Sequence, residues 1–364
     1  MDDDWANWVI KSIFFGGSVL NHRVVFREFV FGDERPFASC HASTLLVLEG
    51  GDILVVWFGG SREGADDVSI WMSRRDGSNG IWSPPVKVAD EEGIPHWNPV
   101  LFQGENGSTF LFYKVGHEIK SWRTMVATSY DSGHTWTKPK ALVEGDVGGR
   151  GPVKNKPIIL TDGTWLAPAS TENEQWDAFV DISYDQGQTW VKSDVVPLRR
   201  SIAGGLESGE SGMLSPGAVV RGKGVIQPTL WESESGIVYM LLRSTEGHIY
   251  RSDSEDGGRT WSLAYPSGLP SNNSGIDLVR LDSGLLALVY NPVGINWGPR
   301  TPLVVGVSAD NGHSWRDEII LENGEGEYSY PAIVAQGDMV CLTYTWKRER
   351  VVCWKIRLHG WDKS

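Results

Sequence analysis

Short apolar runs alternate with turn-forming residues along the chain. Ser43-Thr44-Leu45-Leu46-Val47-Leu48, Ile53-Leu54-Val55-Val56-Trp57-Phe58 and Leu285-Leu286-Ala287-Leu288-Val289-Tyr290 have the length and content of β-strands. Gly50-Gly51-Asp52, Thr161-Asp162-Gly163 and Asp282-Ser283-Gly284 mark turns beside such runs. No long segment carries the 3.6-residue apolar spacing of an amphipathic helix. The pattern predicts an all-β protein.

One polar phrase recurs between the runs. It reads Ser129-Tyr130-Asp131-Ser132-Gly133-His134-Thr135-Trp136 and returns at 183–190, 254–261 and 308–315. A looser copy runs from Ser73 through Asp76 and Gly80 to Trp82. The closing tryptophans, 82, 136, 190, 261 and 315, are 54, 54, 71 and 54 residues apart, a period typical of β repeats. The phrase makes sense as a hairpin turn. Asp accepts bonds from nearby N–H groups, Gly supplies positive φ, and Trp folds back over the turn, so these residues are expected to be structural. The long third gap holds a Gly/Ser-rich loop beginning Arg200-Ser201-Ile202-Ala203-Gly204-Gly205-Leu206, of the functional or mobile type.

Four strands per unit at this spacing make a propeller blade. First strands open at Cys40-His41-Ala42-Ser43, Trp97-Asn98-Pro99-Val100, Asn155-Lys156-Pro157-Ile158, Ile226-Gln227-Pro228-Thr229, Gly275-Ile276-Asp277-Leu278 and Tyr328-Ser329-Tyr330-Pro331. That is six units. The sixth lacks the Asp phrase and is expected to close the ring by pairing Val351 to Leu358 with Val24 to Val30, which removes exposed sheet edges. The expectation is one six-bladed β-propeller domain over residues 1–364.

Composition adds exclusions. The 18 Trp exceed ordinary usage, and the repeated phrase accounts for much of the excess. A formal charge of −13 argues against nucleic acid and anionic membrane as partners, while leaving room for a local cationic pocket. No apolar run approaches the roughly 20 residues of a membrane span. Three separated cysteines, Cys40, Cys341 and Cys353, and an acidic start at Met1-Asp2-Asp3-Asp4 point to a cytoplasmic setting, or a secreted one if a signal peptide has been removed. HExxH, CxxC, EF-hand, GK[ST] and GxSxG patterns are missing, so no metal or other cofactor is expected.

The five phrases with a closing aromatic resemble the Asp-boxes of the sialidase superfamily, whose catalytic domain is a six-bladed propeller. With Phe58-Gly59-Gly60-Ser61-Arg62-Glu63-Gly64 and Trp97-Asn98-Pro99-Val100-Leu101-Phe102, the whole chain is similar to the sialidase-like BNR-repeat branch. Sialidases hold a sialic-acid carboxylate with three arginines, attack with a tyrosine activated by a glutamate, and use an aspartate as acid/base. The resemblance implies Arg243 and Arg300 as the second and third arginines. It implies Tyr328, in its Tyr-Ser context, as the nucleophile, with Tyr330 a near rival. Three positions depart from the pattern. His41 stands where the first arginine belongs, Gln227 falls at the glutamate, and the acid/base is to be sought among Glu63, Asp66 and Asp67.

First strands line a propeller's channel, which would gather His41, Asn98, Asn155, Gln227, Asp277 and Tyr328. A central polar cluster suggests a ligand or ordered water, because buried polar groups are costly unless satisfied. Arg243 and Arg300 suit a carboxylate, whose two oxygens match the guanidinium fork, or else ion pairs between blades. Gln227, Asn98 and Lys156 would join them in binding. Trp346 and Trp97 would stack on a sugar face or pack in the core. His41 reads as a proton shuttle or a hydrogen-bonded channel histidine, and Tyr328 as nucleophile, acid or lining ring. Glu63 or Asp66 reads as general acid or solvated loop charge. The leading expectation is an exo-acting glycoside hydrolase releasing a terminal acidic sugar. The alternatives are a lyase cleaving a uronate-containing glycan by β-elimination and a non-catalytic glycan-binding propeller.

Overall fold

The structure, a computed structural model, describes residues 21–201 and 219–359. Six four-stranded antiparallel sheets follow one another. Blade one is Ser39–Val47, Ile53–Gly60, Ser69–Arg75 and Val86–Ala89, and blade two His96–Gln103, Thr109–Val115, Arg123–Ser129 and Lys140–Ala141. Blade three is Ile158–Ile159, Trp165–Glu172, Trp176–Ser183 and Val191–Lys192, and blade four Val225–Glu232, Val238–Ser244, His248–Ser254 and Tyr265–Pro270. Blade five is Asp277–Arg280, Leu286–Tyr290, Leu303–Ser308 and Arg316–Glu322. Blade six is Tyr328–Gln336, Met339–Trp346 and Arg350–His359, completed by Asn21–Phe29. The fold is the expected six-bladed β-propeller. Asn21 pairs with His359 and Phe29 with Val352, so the N-terminal strand closes the ring beside the C-terminal one. Among the described residues no helix is long and apolar enough to cross a membrane. Most of the Gly/Ser-rich loop, 202–218, lies outside the described residues, as does the acidic N-terminal start.

The apolar runs are continuous because second strands are covered on both faces by neighbouring blades. Every residue of Ile53–Gly60 and of Val238–Ser244 is buried. Leu54 and Val56 of blade one pack with Leu101 and Leu111 of blade two, and Leu166 and Val180 of blade three with Met240 and Leu242 of blade four. In blade three, Asn155-Lys156-Pro157 precedes the inner strand rather than opening it, and that strand is only Ile158–Ile159. Pro157, with no N–H to donate, stands at this boundary.

The Asp phrases form the expected turns. Asp131 accepts from the Thr135 N–H at 2.8 Å and the Thr135 hydroxyl at 2.6 Å, while the Gly133 N–H donates to Ser129 Oγ at 2.7 Å. Ser132 and Gly133, at φ 60 and 84, make the two left-handed residues of a type I′ turn. The turns also clasp neighbouring blades: Arg251 of blade four donates to Asn311 O in the blade-five phrase at 3.0 Å.

One irregularity recurs on the axis. The inner strands of blades one, two, four and six lose register between His41 and Thr44, Trp97 and Val100, Ile226 and Thr229, and Ser329 and Ala332. Each bulge holds a non-glycine residue in the left-handed region: Ala42 (φ 53), Asn98 (φ 42), Gln227 (φ 52) and Tyr330 (φ 53). Proline follows the last three, although a residue before proline is pushed away from helical backbone angles. Strained bulges of this kind re-aim side chains, and cluster at functional sites.

Candidate functional site

The bulges of blades four and six bring a polar group together at one mouth of the channel. Arg243, at the end of the second strand of blade four, is buried. Its Nε donates to Asn273 Oδ1 at 2.7 Å, and one terminal nitrogen donates to Gln227 Oε1 at 3.0 Å and to the Tyr330 hydroxyl at 2.9 Å. All three acceptors are neutral. Its guanidinium carbon also lies 5.6 and 5.7 Å from the ring centroids of Trp176 and Trp297, the latter 64% exposed. Among the described residues its hydrogen-bond acceptors are all neutral, while the nearby Glu172 carboxyl feels its charge, and such a guanidinium can take an anionic ligand.

His41 packs on Tyr330 with ring centroids 4.2 Å apart. Its Nδ1 lies 2.9 Å from Thr345 Oγ1, while its Nε2 is buried without a partner among the described residues. Burial, then the charges of Arg348, Arg300, Lys154 and Arg243, push its pKa well below 6.5, so the ring is neutral at neutral pH.

A chain of charges rims the opposite side. Arg300 donates to Glu327 Oε1 at 2.7 Å, Arg348 donates to the same oxygen at 2.7 Å, and Arg348 also reaches Glu63 Oε2 at 2.7 Å. The Arg300 guanidinium carbon is 5.6 Å from the Tyr330 ring. Arg348 sits in a type I′ turn made of Lys347 (φ 52) and Arg348 (φ 60), without the Gly or Asn such turns prefer. Burial works against ionisation of Glu327, but Arg300 and Arg348 win and hold its carboxyl below the usual range. Glu172 differs: burial pushes its pKa up, and its Oε1 accepts from Gln227 Nε2 at 3.3 Å. The two carboxyls are thus driven in opposite directions, Glu172 up by burial and Glu327 down by Arg300 and Arg348.

The sequence-predicted residues divide. His41, Arg243, Arg300 and Gln227 converge. Tyr328 does not join them. Its hydroxyl donates to Glu325 O at 3.2 Å and its ring belongs to the core of blades five and six. The bulge after Ser329 sends Tyr330 to the axis instead. Trp346 packs against Phe29 and Tyr328, at 5.5 and 6.5 Å, in the same core. Lys156 donates to both oxygens of the buried Asp277 at 3.1 and 3.0 Å and ties blade three to blade five. Asn98 is buried at the blade-two bulge, and neighbouring Trp97 donates to Gly116 O at 2.9 Å. Glu63 is committed to Arg348 on the rim, exposed Asp66 faces His117 at 3.2 Å, and Asp67 caps the Ser61 N–H at 2.9 Å. Glu172, Glu327, Arg348, Thr345, Lys154, Asn273, Trp176 and Trp297 were not expected as site residues. Glu172 and Arg348 had a signal as polar residues at second-strand ends; Trp297 had one in Asn296-Trp297-Gly298-Pro299-Arg300, beside an expected arginine. Among the described residues no three His, Cys, Asp or Glu side chains converge as metal ligands would.

The sequence matches the BNR repeat-like domain over residues 51–342. Among curated proteins none matches it. Solved structures do. A protein of unknown function from Dyadobacter fermentans superposes with a TM-score of 0.70 at 14% identity, covering 93% of this chain and 99% of that one. The Hadza microbial sialidase Hz136 gives 0.69 at 16% identity, covering 89% of this chain and 66% of its own. The Trypanosoma rangeli sialidase, in complex with the inhibitor DANA, gives 0.66 at 12% identity over 89% of this chain and 55% of its own. At these identities the likeness is one of fold.

Proposed function

The chain belongs to the BNR repeat-like domain family, and from there we propose that it is an exo-acting glycoside hydrolase releasing a terminal, carboxylate-bearing sugar. The observation that carries this reading is Arg243, buried with only neutral hydrogen-bond acceptors among the described residues. A sugar carboxylate would supply a countercharge in direct contact and be held by charge-assisted bonds. The sialidases that share this fold support a sugar substrate. Trp297, exposed beside Arg243, offers a face for a sugar ring. Tyr330 attacks the anomeric carbon and its proton passes to the free Nε2 of His41. Glu172, with its raised pKa, gives its proton to the leaving oxygen. Water then opens the tyrosyl–sugar bond, leaving its hydroxyl on the sugar and a proton on Glu172, while His41 returns its proton to the departing Tyr330 oxygen.

A specific observation favours a second reading. Tyr330's hydroxyl meets Arg243 rather than a carboxylate, and neutral His41 is a base in waiting. On a uronate-bearing glycan, Arg243 would hold the carboxylate, His41 would take the proton beside it, and Tyr330 would protonate the leaving oxygen, giving β-elimination. Incubation with sialylated and uronate-bearing glycans in 18O-labelled water separates the cases. Label in the released sugar establishes hydrolysis. A fragment lighter by one water and unlabelled establishes elimination. Binding without product from any glycan refutes both and leaves a binding propeller.

A further inference from the structure

Bulges take Gln227, Pro228, Tyr330 and Pro331 out of ladder pairing. The carbonyls of the buried Gln227, Pro228 and Pro331 still need donors. Blade three supplies them from outside its sheet. Asn155 Nδ2 donates to Gln227 O at 3.1 Å and Pro228 O at 2.9 Å. Beside it, the buried Lys154 ammonium donates to Pro331 O, to Ile276 O at 3.0 Å and to Asn155 Oδ1 at 2.9 Å. Three N–H groups meet three acceptors on blades three, five and six. Gly275 makes room for the arrangement: a Cβ there would stand 3.0 Å from Lys154 Cε and 3.3 Å from the Tyr330 ring.

We infer that Lys154 is a positioning residue, whose ammonium pins the left-handed Tyr330–Pro331 bulge and so keeps Tyr330 against His41 and Arg243. Its bearing on catalysis rests on the function proposed above; the pinning itself does not. The group is electrostatically exposed to change. Burial lowers its pKa to about 7, Asp277 opposes this, and Lys156 and Arg243 add to it. His41 faces it from blade one and is itself affected by its charge. Asp277 already pairs with Lys156, so Lys154 forms no ion pair among the described residues. A neutral amine has two N–H groups and a lone pair for three acceptors. Loss of the proton therefore releases one carbonyl and loosens the bulge.

The test uses the full chain with 13C-labelled tyrosines, Tyr330 being assigned through Tyr330→Phe, together with amide hydrogen exchange at fixed pH. In wild type the Tyr330 ring signal is expected to report the ionisation of Lys154, changing with a midpoint near 7. Lys154→Arg, which stays charged, is expected to abolish it. In Lys154→Met, exchange across residues 328–336 is expected to rise about tenfold while 286–290 is unchanged. A flat Tyr330 signal through this range in wild type, or unchanged exchange at 328–336 in Lys154→Met, overturns the inference. Should Lys154→Met fail to fold, the wild-type titration decides alone. A glycan panel that yields no product, alongside a positive titration, would sink the proposed function and leave the pin standing.

Discussion

At the scale of single residues the site turns on which tyrosine faces the axis. Tyr330→Phe is expected to lower kcat at least a hundredfold, or ~3 kcal/mol. Tyr328→Phe is expected to leave turnover within about twofold and to cost ~1 kcal/mol of stability through the lost bond to Glu325. Arg243→Met should raise the dissociation constant for an acidic monosaccharide at least a hundredfold by calorimetry; unchanged affinity would refute the carboxylate subsite. His41 gives a pH signature. Its folded pKa is depressed below the unfolded value of about 6.5. Between the two the unfolded chain binds more protons, so this contribution is present above about pH 6.5 and lost as pH falls below it. Thermal unfolding of wild type and His41→Gln across that range should show the wild-type Tm falling more steeply on acidification. The positions of His41 and Gln227 at strand openings and of Arg243 at a strand end could be read from apolar runs, whereas Arg300 came from the resemblance alone. The choice between Tyr328 and Tyr330 was not. Two residues apart on a regular strand they would share a face, and only the bulge separates them. Glu172 and Glu327 were illegible as an opposed pair because their pKa shifts come from burial and from Arg300 and Arg348, which approach only in the folded ring.

At the scale of elements, the repeated phrase carried nearly the whole architecture. Its Asp, Gly and Trp spacing marks where each blade turns, and the apolar runs between fill in the strands. Blade three was the harder case, since Pro157 delays its inner strand to Ile158–Ile159. The bulges left no such trace, because Asn98-Pro99, Gln227-Pro228 and Tyr330-Pro331 read as ordinary extended dipeptides. The turn itself is open to test. Gly133 has φ 84 and its added Cβ would lie 2.7 Å from Leu54 Cδ1. Gly133→Ala combines left-handed strain with a clash against blade one, and is expected to cost ~1–3 kcal/mol in denaturant unfolding. Gly163→Ala, also left-handed but facing open space, should cost less; equal losses would show that the contact with Leu54 contributes nothing.

At the scale of the whole molecule, the site belongs to no single blade. His41 comes from blade one, Glu172 from three, Arg243 from four, and Tyr330 and Arg348 from six, with Lys154 reaching across the centre. Removing residues 1–29 should therefore abolish a cooperative melt, not trim activity, because it strips Asn21–Phe29 from Arg350–His359. A two-state transition of near-native midpoint in that truncation would show closure to be dispensable. The same pairing sets a schedule for synthesis. The strand that completes blade six leaves the ribosome before blades one to five, and its partner leaves after them. Until then the nascent chain waits with an unpaired edge, so slow translation or an early stop codon produces an aggregation-prone intermediate for chaperones to shield, not a smaller folded propeller.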